Sequence, residues 1–262
     1  GDLEAALVAR FNLAVDVRRK KSPSGDLFLV TPQDVAHTIG FTVEVTVAWR
    51  RVQARLVLGN FASQLVQAMQ DSTEEQRGVF QCFANAITSG KGNVSLEVND
   101  GSVPISDLSN WPETWQTVEL KMETGQAVIP KDPAEEKQLV IPWAIRFFGA
   151  AISLLPLEPV DSPETEVVGE AEGAVEIVKV KRYERKPINR AACLEAHGTS
   201  CKVCGLVFSE RYGEIGEGFI HVHHIKPLST MLGAYVINPL NDLVPVCPNC
   251  HAMLHKRKPE PY

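Results

Sequence analysis

The 262-residue sequence predicts an α+β chain in two parts. Three observations carry that expectation. Between residues 1 and 157, stretches with helical apolar spacing alternate with stretches rich in Val, Thr and aromatic residues, the mixture expected of an α+β unit. Residues 158–176 lose that periodicity: Glu158, Asp161, Glu164, Glu166, Glu170, Glu172 and Glu176 are interspersed with Pro, Gly, Ser and Val, with no Lys or Arg, which is the composition of a linker. Residues 177–262 then form a second unit, in which four cysteines and five of the seven histidines crowd between Cys201 and His255.

Within the first unit, residues 2–15 predict an amphipathic helix, with Leu3, Leu7, Phe11 and Ala14 on one face and Asp2 capping its start. Arg18-Arg19-Lys20-Lys21 leads into Ser22-Pro23-Ser24-Gly25, a cationic turn that can grip phosphates or simply be solvated. Residues 26–30 read as a short strand, and Thr31-Pro32-Gln33-Asp34 as a helix start with Thr31 as cap and Pro32 in the first helical position. The run 41–58 alternates and is rich in Val and Thr, so it predicts a bent or paired strand carrying Arg50, Arg51 and Arg55. Helical spacing returns over 61–69 and 74–88. Strands are expected over 94–98 and 115–122, with Asn99-Asp100-Gly101 as a turn between them, and an apolar helix over 141–155. This part holds one histidine, His37, and all four tryptophans; Trp111 and Trp115 suit a core, or alternatively a pocket that stacks a displaced base.

The formal charge of −6 argues at first against nucleic acid, but its distribution does not. Residues 176–262 carry 12 Lys or Arg against 8 Asp or Glu, so the acidity belongs to the rest of the chain. Lys179, Lys181, Arg182, Arg185, Lys186 and Arg190 form a basic arm directly before the cysteines, well placed to meet a DNA backbone. A short helix over 189–196, closed by Gly198, follows it. No apolar run reaches membrane-spanning length, and the expected chain is soluble with no membrane partner. Four of the six cysteines fall in metal-type spacing, leaving Cys82 and Cys193 in apolar helical contexts; that usage fits a reducing cytoplasm rather than a disulfide-stapled secreted fold.

The Cys/His register divides in two. Cys201-Lys202-Val203-Cys204 and Cys247-Pro248-Asn249-Cys250 are Cys-X2-Cys knuckles 42 residues apart, and four thiolates so paired can converge on a tetrahedral structural zinc. The histidines are left over from that cage. His251 and His255 are four apart, sharing one face if a helix opens at Cys250, so the pair can hold a second metal. Residues 219–225 read as a strand ended by Pro227, and it delivers the doublet His223-His224. His221 alternates with His223 on that strand and can lie near the same site, and His197 lies at a helix end where a cation suits the dipole; both are read as structural histidines.

A strand-borne His doublet, a loop, and a run into Cys-X2-Cys-His-X3-His resemble the HNH nucleases of the ββα-metal fold, specifically their zinc-knuckle subgroup, over about residues 186–258. The resemblance implies His223, His251 and His255 as ligands of a catalytic divalent ion, Mg2+ or another such as Mn2+, Co2+ or Ni2+. It also implies His224 as the general base. A neutral imidazole suits removal of a proton from water at neutral pH. The family's loop-pinning Asn falls at Asp242, which accepts but cannot donate; either Asp242 serves as acceptor or Asn241, one residue earlier, takes the role.

The arrangement as a whole is similar to bacterial modification-dependent, McrA-like restriction endonucleases. That likeness implies a cytoplasmic enzyme in which residues 1–157 sense double-stranded DNA and its modification, residues 158–176 tether, and residues 177–262 cut by a one-metal mechanism, with a homodimer as one way to cleave both strands. Two alternatives stay open: a homing or phage-type HNH nuclease that reads ordinary sequence, and a zinc-ribbon DNA-binding protein without catalysis.

Overall fold

A computed structural model describes residues 1–23, 25–33, 40–60, 62–107, 110–126, 129–130, 132–155, 187–225 and 237–256. The chain begins with helix α1 (Asp2–Phe11) and then a run of strands, β1 (Val15–Ser22), β2 (Gly25–Pro32), β3 (Phe41–Ala48) and β4 (Arg51–Leu58). Helices α2 (Ser63–Gln70) and α3 (Glu74–Ser89) precede β5 (Gly92–Val98), β6 (Gly101–Val103) and β7 (Val118–Thr124); helix α4 (Pro133–Ser153) follows. These strands form one antiparallel sheet in the order β1-β2-β3-β4-β7-β5-β6.

Alternation decides which face of the sheet is covered. In β3, Val43, Val45 and Val47 are buried while Thr42, Glu44 and Thr46 between them are half-exposed. The buried face packs on Leu3, Leu7 and Phe11 of α1, Phe80 and Phe83 of α3, and Phe147 and Phe148 of α4. Helix α3 starts in a capping box, Thr73 Oγ1 accepting from Gln76 N at 3.2 Å and Gln76 Oε1 accepting from Thr73 N at 2.9 Å. At Gly149 an added Cβ would lie 2.5 Å from the Phe83 ring, so only glycine permits this approach of α4 to α3.

Several expectations are corrected here. The first helix stops at Phe11, with Asn12 in the left-handed conformation, and Gly1 rather than Asp2 is its cap; Ala14 lies beyond it. Arg18 to Lys21 lie on β1, not on a turn. Arg18 pairs with Asp16 at 2.6 Å, and both Arg19 and Lys21 pair with Asp26. Because β1 is an edge strand, charge along it discourages pairing with another chain. Thr31 and Pro32 end β2, opposite Asp16 and Val15, rather than starting a helix; a proline without an N–H is tolerated at a strand terminus as it is at a helix start. The expected paired strand over 41–58 is the β3–β4 hairpin, turning at Trp49-Arg50. The strand expected from Trp115 begins at Val118, while Trp111 and Trp115 are buried, 5.7 Å apart, with their indole N–H groups donating to Pro104 O and Pro112 O. They are core, not a base-stacking pocket. The helix expected from residue 141 begins at Pro133, capped by Asp132 at 2.7 Å, and carries Pro142 in its interior.

The remaining elements are α5 (Pro187–His197), α6 (Phe208–Tyr212), a 3-10 turn (Gly213–Gly216), β8 (His221–His224), β9 (Leu243–Val246) and α7 (Pro248–Lys256). Helix α5 is shared: Ile188, Ala191 and Ala192 join the large core, whereas Cys193 and Leu194 join a small one with Ile220, Val222, Leu243 and Val246. Glu195 of α5 accepts from Arg10 at 2.6 Å and from Arg146 at 3.0 Å, and Glu75 of α3 accepts from Asn189 at 2.8 Å. No described helix is long and apolar enough to cross a membrane.

Candidate metal centre

The two Cys-X2-Cys turns are brought together by backbone pairing. Cys201 N donates to Leu206 O at 3.0 Å and Gly205 N to Cys201 O at 2.8 Å, with Gly205 at a φ of 74° that a larger residue would resist. Lys202 N donates to Pro245 O of β9 at 3.0 Å, and β9 runs directly into Cys247, so one strand docks the first turn beside the second. One sulfur atom from each of Cys201, Cys204, Cys247 and Cys250 lies within 4.8 Å of the others. Cys204 Sγ and Cys247 Sγ are 3.8 Å apart. A tetrahedral zinc with Zn–S bonds of about 2.3 Å sets its sulfurs roughly 3.8 Å apart, so the residues fit that ion. Burial opposes ionisation of Cys201, but the backbone N–H groups of Cys247, Cys204 and Val203 outweigh it and bring the thiol down to about 6. Cys250 is pushed up to about 12, first by hydrogen bonding with Cys247 and then by burial. Cys82 and Cys193, outside the cage, are buried among apolar side chains, and burial raises Cys82 to about 11.

The histidines meet on the other side of α7. This helix opens at Pro248, two residues earlier than expected, and His251 N donates to Cys247 O at 2.8 Å. His251 and His255 are one turn apart on it, with their Nε2 atoms 3.2 Å from each other. Strand β8 pairs with β9 in the register His223 to Val244 and His224 to Leu243. His223 is buried, and its ring centroid lies 5.2 Å from that of His251 and 5.0 Å from that of His255. A ligating atom from each of His223, His251 and His255 falls within 4.8 Å of the others. Imidazole nitrogens sharing one ion at about 2.0–2.1 Å lie roughly 3 Å apart, which the His251–His255 separation matches.

His224 is not one of that trio; it closes β8, half-buried, on the residue after His223. The loop behind it is organised by Asp242, which is buried and accepts from Asn238 N at 2.8 Å through Oδ2. Its backbone carbonyl accepts from Ile225 N at 2.8 Å, directly beyond His224. Asn241 is exposed. His197, at the end of α5, donates through Nε2 to Leu240 O at 2.8 Å, so it too braces this loop.

Of the basic arm, Lys179, Lys181, Arg182, Arg185 and Lys186 lie outside the described residues, as do His37, Pro227 and the 158–176 linker. Arg190 is described. Its guanidinium donates to Gly218 O at 3.3 Å and Ile220 O at 3.0 Å, which ties α5 to the chain entering β8. Burial, and then the Arg10 cation, pull it below the usual arginine range. His221, which the sequence places near the site without a role, has its Nδ1 3.0 Å from His251 Nδ1. The only signal in the sequence was its alternation with His223, which puts both on one face of the strand.

The HNH endonuclease family model matches residues 201–257, the stretch that holds both clusters. The type IV methyl-directed restriction enzyme EcoKMcrA of Escherichia coli strain K12 is 33% identical over 97 residues, 36% of this chain and 33% of that enzyme. The matched stretch thus spans about a third of the relative's length. No solved structure matches the chain. The chain carries an HNH-like nuclease domain with Cys and His clusters suited to metal and a distant similarity to the McrA type of restriction enzyme.

Proposed function

We propose that this chain is a DNA endonuclease of the modification-dependent restriction type. The observation that carries the reading is the convergence of His223, His251 and His255 beside a zinc-fitting cage of four cysteines, within the stretch that matches the HNH family. In this reading His223, His251 and His255 hold a divalent ion, Mg2+ or a transition metal such as Mn2+, Co2+ or Ni2+. Bound there, such an ion supplies positive charge to the scissile phosphate and the leaving 3′-oxygen. His224 takes the proton from the attacking water. Asp242 holds the loop that backs His224, a role for which its burial and its bond to Asn238 make it better suited than Asn241. The zinc of the cysteine cage is structural, since four protein ligands leave it no open position for substrate.

Residues 177–262 then cut, with Lys179, Lys181, Arg182, Arg185 and Lys186 on DNA phosphates, while Arg190 serves the strand rather than the backbone of DNA. Residues 1–157 choose the target, joined by the 158–176 tether, and two copies serve the two strands. What supports a sensing role is the methyl-directed activity named for the E. coli relative. An HNH module's phosphate contacts carry little sequence information by themselves.

The test is supercoiled plasmid, methylated or unmethylated, incubated with the 262-residue chain and Mg2+ or Mn2+. Nicking and linearisation of the methylated form is the expected result. Binding without cutting under every metal would replace the enzyme with a zinc-dependent DNA binder, and equal cutting of both forms would replace modification sensing with ordinary sequence reading. His224→Ala should lower the cleavage rate at least about 100-fold, the low end of what a general base supplies, with zinc content and DNA affinity retained. Cleavage near the wild-type rate would move the base elsewhere.

A further inference from the structure

We infer that His221 is a positioning residue that fixes the tautomer and orientation of His251 as a metal ligand; the inference rests on the metal-site reading above. The two nitrogens of His251 face different partners. Nε2 lies 3.2 Å from His255 Nε2, on the side of the histidine trio, and Nδ1 lies 3.0 Å from His221 Nδ1. An imidazole that gives the lone pair of Nε2 to a cation keeps its proton on Nδ1, and that N–H needs an acceptor that holds the ring in plane with the ion. His221 Nδ1 stands where the acceptor is required. It fills the role in the tautomer with its own proton on Nε2. The reverse arrangement, in which His221 donates, would put the proton of His251 on Nε2 and remove the ligand.

The position of His221 is itself built. On β8 it pairs with Val246 and shares the face of His223. Its ring stands at 88° to that of His251, centroids 5.2 Å apart. Phe219 also meets it edge to face at 6.3 Å, and Phe208 meets Phe219 in the same manner at 5.0 Å. Phe208 packs against the small core, so edge contacts run from that core through Phe219 to His221, whose ring is exposed on its remaining side. His221 is not in the group whose ligating atoms converge, which separates it from a fourth ligand.

The experiment measures Mn2+ binding to the zinc-loaded 262-residue chain by electron paramagnetic resonance and calorimetry, with zinc content and tryptophan fluorescence as controls on folding. His221→Phe retains a ring against Phe219 but offers no acceptor, and His221→Ala repeats the loss without the ring. Both should weaken Mn2+ binding about 10–100-fold, the range for loss of a ligand's hydrogen-bond partner. His221→Asn, whose amide oxygen can stand near the lost Nδ1, should recover most of the affinity. At saturating Mn2+ the cleavage rate of all three should return to within a few-fold of wild type. Unchanged Mn2+ affinity in His221→Phe and His221→Ala would overturn the inference, as would a His221→Asn variant as weak as they are, which would assign the effect to packing. If wild type and His251→Ala both fail to bind Mn2+ while zinc stays in place, the metal-site reading falls and this inference with it, an outcome distinct from the other two.

Discussion

Residues 2–155 bury Phe80, Phe83, Phe147 and Phe148 almost completely, whereas among the described residues from 199 to 256 no phenylalanine is buried. The core of that second stretch is Ile220, Val222, Leu243 and Val246 beside the thiols of Cys201 and Cys247. One region is stabilised by apolar area distributed over a seven-stranded sheet and its helices. The other, among its described residues, sets a small apolar core beside four cysteines that can hold a zinc ion, the kind of arrangement in which a bound metal contributes much of the folding free energy. Beside that small core His223, His251 and His255 crowd at ring centroid separations near 5 Å. The chromophores divide in the same way: all four tryptophans precede residue 158, and all four tyrosines follow residue 176. Tryptophan fluorescence therefore reports one region, and tyrosine the other.

The comparison breaks most visibly at the cage. Cys250→Ser removes a ligand and should cost the second region on the order of 10 kcal/mol of metal-derived folding energy. Zinc should be lost and the tyrosine signal altered, with tryptophan fluorescence nearly unchanged. A variant with a full zinc equivalent and an unperturbed tyrosine spectrum would show that the cage is not what holds this region. Phe83→Ala is the mirror experiment. It empties a fully buried site at the α3–α4 contact and should cost about 3–5 kcal/mol. The tryptophan-monitored melting temperature should fall steeply while zinc content holds. Simultaneous loss of zinc under native conditions would mean that the two regions do not stand on separate supports.

A smaller effect sharpens the boundary. Glu195 of α5 is largely buried between Arg10 and Arg146, so Glu195→Ala leaves two guanidinium groups without that carboxylate. We expect a loss of about 2 kcal/mol in urea unfolding followed by tryptophan. The readout that matters is the gap between transitions: α5 touches both cores, so the tryptophan and tyrosine transitions should lie further apart in the variant than in the wild type. A gap that does not widen would indicate that Ile188, Ala191 and Ala192 carry the contact between the regions.

What was legible in the sequence was whatever local chemistry decides. Helix α3 appears within one residue of its expected end because the apolar stripe through Phe80, Phe83 and Ile87 repeats at helical spacing, and the structure adds a capping box at Thr73 and Gln76. The two clusters were legible for the same reason, since Cys-X2-Cys turns and an i,i+4 His pair are short-range geometries. Tertiary structure decided the rest. Arg18 to Lys21 form a strand because β2 pairs with them, a partner no local pattern of cations announces. Trp111 and Trp115 are core because Phe80 packs against Trp111 at 5.7 Å. Asp242 is buried with its side chain accepting from Asn238 N, while its neighbour Asn241 is exposed, a difference that the two letters do not announce. His221 meets His251 only because α7 packs across β8, thirty positions away in the chain. Side-chain periodicity tells which way a residue points, but what it meets depends on a second element, and that contact is set by the packing of the whole chain.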